Sequence, residues 1–97
     1  KIVCDLEDNL LYSSRNSIPT RKSQDSKKIM KQVCIYAFSK SQLNKFYSLS
    51  KTPLESEEDI EIIRCLEKGM LVKMLKVDKV SYAVDYPEDI KIIEKVL

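Results

Sequence analysis

Residues 52–69 read TPLESEEDIEIIRCLEKG, and their punctuation is that of a helix. Thr52 and Glu55 have capping-box spacing, and Pro53 takes the first helical position, where a missing amide hydrogen costs little. Gly69 stands where helices close on a left-handed residue. Ile60, Ile62, Ile63 and Leu66 supply the apolar side. The spacing predicts one helix across the whole stretch. Glu55, Glu57, Glu58, Asp59 and Glu61 crowd its first turns, where the macrodipole favours carboxylates. On helical spacing Glu57 and Glu61 share a face, either a solvated surface or the border of a cleft.

Upstream, residues 31–38 (KQVCIYAF) form a continuous β-branched and aromatic run of the kind buried on both faces of a sheet. Ser39 then caps a helix whose Leu43, Phe46, Tyr47 and Leu49 share one side. Nearer the start, Ile2, Cys4 and Leu6 alternate with Val3, Asp5 and Glu7. With a turn at Asp8–Asn9 and an extended pattern over residues 10–13, this reads as a β-hairpin. Residues 14–31 read as loop, punctuated by Ile18 and Pro19. Downstream, residues 71–77 (LVKMLKV) and 81–84 read as short strands, and residues 85–88 repeat the capping grammar to open a final helix through Ile90, Ile93, Val96 and Leu97. The order is β-β-loop-β-α-α-β-β-α. The late connections are too short for helical crossovers, so an α/β fold with a mixed sheet is expected.

The chain has 97 residues, 43% hydrophobic and 33% charged, enough for one modest core. Its longest apolar run is too short to cross a bilayer, and its start has no signal-peptide segment. The missing Met and immediate strand pattern read as an interior segment of a longer protein. With no His, there is no Ser-His-Asp or Cys-His nucleophile, no HExxH zinc site and no histidine base. A single Gly excludes a Walker loop or a GxGxxG turn. Cys4, Cys34 and Cys65 are too far apart for a CxxC or zinc pattern and read as three buried, reduced thiols of a cytoplasmic protein.

The net charge of +2 hides an asymmetry: residues 1–50 carry nine basic against four acidic side chains, and residues 51–97 eight against eleven. The basic excess over residues 15–31 reads as a solvated loop or an anion-binding segment. It lacks the aromatics on which single-stranded nucleic acid stacks.

Asp85 lies at the expected C-terminal end of a strand, just before a helix. In open α/β sheets that end faces ligands, and a carboxylate there suits Mg²⁺, a hard cation that often bridges to phosphates. The alternative is a plain helix cap.

Residues 11–19 (LYSSRNSIP), 31–38, 52–69 and 83–90 (AVDYPEDI), in this order, resemble the C-terminal part of the CMP-KDO synthetases, the 3-deoxy-manno-octulosonate cytidylyltransferases, relatives of the acylneuraminate cytidylyltransferases. The resemblance spans nearly the whole chain, residues 1–97. It implies the C-terminal, sugar-binding and dimerising portion of a nucleotide-diphospho-sugar transferase fold (Rossmann-like), with the CTP-binding part upstream. It further implies that CTP and a 2-keto-3-deoxy sugar acid give the CMP-sugar and pyrophosphate for surface-polysaccharide synthesis, in a cytoplasmic homodimer bound to neither nucleic acid nor membrane.

Position by position, Asp85 matches the family's metal-binding aspartate, implying Mg²⁺. Arg15 matches the arginine of its SR-x-x-IP motif. Tyr36 and Glu61 match positions lining the sugar pocket. Gln32 stands where the family typically has His, and Ile62 where it has Gln. The segment between Pro19 and Gln32 is also shorter than in enterobacterial members, which leaves the exact sugar open. The alternative from another class is a non-catalytic binding or oligomerisation module holding an anionic partner.

Overall fold

A computed structural model describes residues 1–22, 29–78, 82 and 84–96. Its described elements are β1 (Ile2–Cys4), β2 (Leu10–Ser13), α1 (Lys40–Ser48), α2 (Pro53–Glu58), α3 (Ile63–Glu67) and α4 (Pro87–Val96). Residues 79–81 and 83, which take in half of the expected strand at residues 81–84, the central part of the basic segment (residues 23–28) and Leu97 lie outside the described residues.

The hairpin forms, but β1 stops at Cys4, and Leu6, the third position of the expected alternation, lies fully exposed in the turn. β1 and β2 pair antiparallel, with Ile2 opposite Ser13 and Val3 opposite Tyr12. Asp5 organises the turn, its Oδ1 accepting from the amides of Glu7 at 2.8 Å and Asn9 at 2.9 Å. Asp8 takes a positive φ of 64°, which short polar side chains tolerate.

Flanking segments join this ribbon only through isolated bridges, Ile2 with Met30 and Asn9 with Lys73. The amide of Leu10 also donates to the Val72 carbonyl, and that of Met74 to the Asp8 carbonyl, each at 2.8 Å. The described sheet therefore has two antiparallel strands, not the mixed sheet expected. Residues 71–77 run beside β2 without completing a ladder.

Residues 31–38 are likewise no strand. Cys34 takes a φ of 65°, which interrupts the pleat. Instead of being buried on both faces, Val33, Ile35 and Tyr36 are exposed.

The helix expected over residues 52–69 is two helices. Asp59 adopts a left-handed conformation, φ 55°, and α2 ends there, with the Ile60 amide returning to the Glu55 carbonyl at 3.4 Å. The break turns Ile62, Ile63 and Cys65 inward. α3 then closes as expected at Gly69, φ 73°, with Met70 N–H bonded to the Cys65 carbonyl at 2.9 Å, a Schellman closure.

The core cluster joins Ile2 and Leu10 of the hairpin to Ile62 and Cys65, with Met30, Phe38, Phe46, Val72 and Met74 packed around them. Ser39 caps α1 in a full capping box. Of that helix's expected apolar side, Phe46 and Leu49 are half-buried while Tyr47 is exposed. α4 begins at Pro87 but buries none of its described side chains. Among the described residues no helix is long and apolar enough to cross a membrane.

The three thiols are free, but they do not share one environment. Cys65 is buried, Cys4 half-buried and Cys34 exposed, which corrects the expectation of three buried cysteines. The turn at Cys34 moves its side chain out of the apolar pattern that the sequence suggested.

Candidate functional site: a polar cleft

A cleft of about 720 Å³ opens beside the end of β2, lined by Arg15, Gln32, Tyr36, Glu61 and Asp85, together with Ser13, Ser14, Cys34, Asp59 and Tyr82 among others. All five residues singled out from sequence fall on this one cleft. They come from four separate places in the chain: the exit of β2, the run after Met30, the α2–α3 junction and the approach to α4.

Arg15 is fixed by the broken helix. Its Nε donates to the Glu58 carbonyl at 3.0 Å and a terminal nitrogen to the Asp59 carbonyl at 2.6 Å. A cation at those carbonyls also meets the negative end of α2. Glu58 returns the contact, its two carboxylate oxygens accepting from the Ser14 hydroxyl at 3.0 Å and the Arg15 amide at 2.9 Å. The αL turn at Asp59 thus brings the hairpin exit and Glu61 to one rim. Guanidinium bonds already made to the main chain leave only part of the Arg15 fork for a ligand.

Gln32 and Tyr36 also line the cleft. The Ser13 hydroxyl donates to Gln32 Oε1 at 3.2 Å, and Gln32 Nε2 donates to the Tyr36 hydroxyl. Burial raises the Tyr36 phenol above its ordinary value, with the Gln32 bond working against that rise. The phenol accordingly keeps its proton at neutral pH.

Asp85 lies on the rim, exposed. The cap of α4 uses a different carboxylate from the one expected: Asp89 Oδ2 accepts from the amides of Asp85 and Tyr86, each at 3.0 Å. The simple reading of Asp85 as the residue whose side chain caps the helix is not what is found. Among the described residues no three His, Cys, Asp or Glu side chains cluster as a metal cage. A single exposed carboxylate fits a Mg²⁺ ion that takes most of its ligands from water and phosphate oxygens, and does not fit an all-protein site.

The residues that sequence reasoning missed are Ser13 and Ser14. Both are buried polar side chains whose partners, Gln32 and Glu58, lie 19 and 44 residues away. The one local signal was a pair of serines at the end of a strand whose inward positions are otherwise apolar.

A second, larger groove of about 1050 Å³ is lined mainly by apolar side chains of residues 29–38 and 70–78, including Val33, Ile35, Leu71 and Leu75.

No family model matches the chain. Curated proteins do match it, along essentially its whole length. It is 41% identical over 91 residues to a 3-deoxy-manno-octulosonate cytidylyltransferase of a Nitratiruptor species, covering 94% of this chain and 38% of that protein. It is 40% identical over 98 residues to the protein of that name in Christiangramia forsetii, covering 100% and 40%. The protein of that name in Protochlamydia amoebophila is 36% identical over 98 residues, covering 98% and 38%. The chain is thus similar to the C-terminal portion of the 3-deoxy-manno-octulosonate cytidylyltransferases. It spans about two fifths of the length of these relatives.

Proposed function

We propose that this chain is the sugar-acid-binding and dimerising portion of an enzyme that joins CTP to KDO or a related 2-keto-3-deoxy sugar acid, giving the CMP-sugar and pyrophosphate in the cytoplasm for surface-polysaccharide synthesis. The single observation that carries this reading is the meeting of Arg15, Gln32, Tyr36, Glu61 and Asp85 on one cleft. The relatives' name supports the reaction class.

In this reading the anomeric hydroxyl attacks the α-phosphorus of CTP, and the chemistry needs positioning and charge neutralisation more than an acid or base side chain. Arg15 supplies positive charge toward a sugar carboxylate, while Gln32, Tyr36 and Glu61 supply donors and acceptors for sugar oxygens. Asp85 would hold a Mg²⁺ ion, which when bound would supply charge neutralisation for the triphosphate. CTP itself is bound by another portion of a Rossmann-like nucleotide-diphospho-sugar transferase fold.

The test is pyrophosphate release from CTP and KDO by the full-length protein, alone and with Asp85→Asn. Mg²⁺-dependent turnover that Asp85→Asn abolishes is expected. A full-length protein inert toward CTP with every 2-keto-3-deoxy sugar acid tried would refute the reading.

The second reading, a non-catalytic binding or oligomerisation module, draws on the open apolar groove between residues 29–38 and 70–78. Under it, Asp85→Asn leaves partner binding intact and there is no turnover to lose.

A further inference from the structure

Ser13 faces inward from β2, 1% exposed, and its hydroxyl donates to Gln32 Oε1 at 3.2 Å. An amide whose oxygen is engaged in this way directs its NH₂ to the other side, and Gln32 Nε2 meets the Tyr36 hydroxyl there. A phenol oxygen that accepts one bond still has its own proton to give. Cys34, which also lines the cleft, shares a side-chain hydrogen bond with that hydroxyl, but sulfur is a weak acceptor that a ligand oxygen would displace. The Tyr36 proton is therefore offered to the cleft that Arg15 and Glu61 also line.

We propose that Ser13 is a positioning residue of the cleft: acting through Gln32, it presents the Tyr36 hydroxyl as a donor, so the ligand group met there is an acceptor such as a carboxylate or sugar hydroxyl oxygen. The identity of the ligand rests on the cytidylyltransferase reading above; the relay itself does not. Burial holds the phenol protonated, as a donor must be, and the bond from Gln32 pulls the other way. Loss of that bond raises the phenol's titration further.

The experiment uses the full-length protein with its tyrosines ¹³Cζ-labelled, Tyr36 being assigned by Tyr36→Phe. Ser13→Ala is expected to move the Tyr36 titration to higher pH and to raise KM for KDO about tenfold, roughly the worth of one lost hydrogen bond. KM for CTP changes by less than about twofold. Ser13→Thr keeps the hydroxyl and restores both readouts. An unchanged Tyr36 titration in Ser13→Ala overturns the relay. So does a rise in both KM values with Thr no better than Ala, since that marks a structural role only. An inactive full-length protein refutes the functional reading, while the NMR titration, which needs no turnover, still decides the relay.

Discussion

Arg64 closes on Glu55 across a reversal of the chain, with Nε 2.8 Å from Oε2 and a terminal nitrogen 2.6 Å from Oε1. In a straight helix these residues, nine apart, would stand about 13 Å from each other along the axis. The pair exists because Asp59 ends α2 and lets α3 fold back. The same guanidinium lies 4.7 Å from the centre of the Phe46 ring, so one side chain ties α1, α2 and α3 together.

Removing one partner of this pair leaves the other charge unpaired in a mostly dry place. Glu55→Gln is expected to lower unfolding free energy by about 3 kcal/mol, at the low end for a buried pair, as measured by urea denaturation. Arg64→Lys is expected to recover little of that, since an ammonium reproduces neither the fork nor the stacking on Phe46.

The pair also makes stability depend on acid. The Arg64 hydrogen bonds hold the Glu55 carboxyl below its ordinary value of 4.5, helped by the Thr52 amide and opposed by burial. Because the folded value is the lower one, this contribution is complete above the ordinary value and is lost as pH falls through the folded value. Asp5, held low chiefly by the Asn9 amide, acts in the same direction. Between about pH 5 and pH 3 the thermal midpoint of Glu55→Gln should fall less steeply than that of the natural protein.

Glu67 of α3 caps the start of α2, its Oε1 accepting from the amides of Leu54 at 2.6 Å and Glu55 at 3.3 Å. Thr52 and Glu55 take the capping-box arrangement, and the Thr52 amide donates to Glu55 Oε2 at 3.2 Å. The buried Thr52 Oγ1, however, makes no hydrogen bond among the described residues. Glu67→Gln is therefore expected to cost about 1 kcal/mol, more than Thr52→Ala, in the same denaturation series.

Two left-handed residues set the limits of the helix pair. Gly69→Ala is expected to destabilise by about 1 kcal/mol through conformation alone, because an added Cβ would meet nothing within 4 Å. Asp59→Gly should be neutral or stabilising and Asp59→Val destabilising, since φ is 55° there.

Thiol reactivity should follow exposure. Iodoacetamide is expected to label Cys34 first, then Cys4, and Cys65 only on unfolding, as mapped by peptide mass spectrometry; burial also pushes up the Cys4 and Cys65 thiols.

The local grammar of this chain was legible because its causes are local. Alternation around an Asp-Asn turn specified the hairpin, Ser39 and Pro53 specified helix starts, and Gly69 specified a stop. Asp85 and Glu61 stood out by their places at a strand end and on a helix face, but Arg15, Gln32 and Tyr36 were legible only through the family resemblance, and nothing in the spacing brings the five together.

Residues 31–38 and 71–77 carry strand composition, but a strand is a paired state. Their pairing reduces to single bridges at Met30 and Lys73, and the turn at Cys34 ends any ladder there. The break at Asp59 was equally hidden, because Asp is an ordinary residue in a helix until distant contacts make αL preferable. Those contacts are Arg15 on the Glu58 and Asp59 carbonyls, Arg64 on Glu55 and Glu67 on the α2 amides. The sequence by itself determined the hairpin, the starts of α1 and α2, the stop at Gly69 and which family the chain resembles. Tertiary structure alone decided that one expected helix is two and that five scattered side chains share a cleft, because both depend on partners remote in sequence.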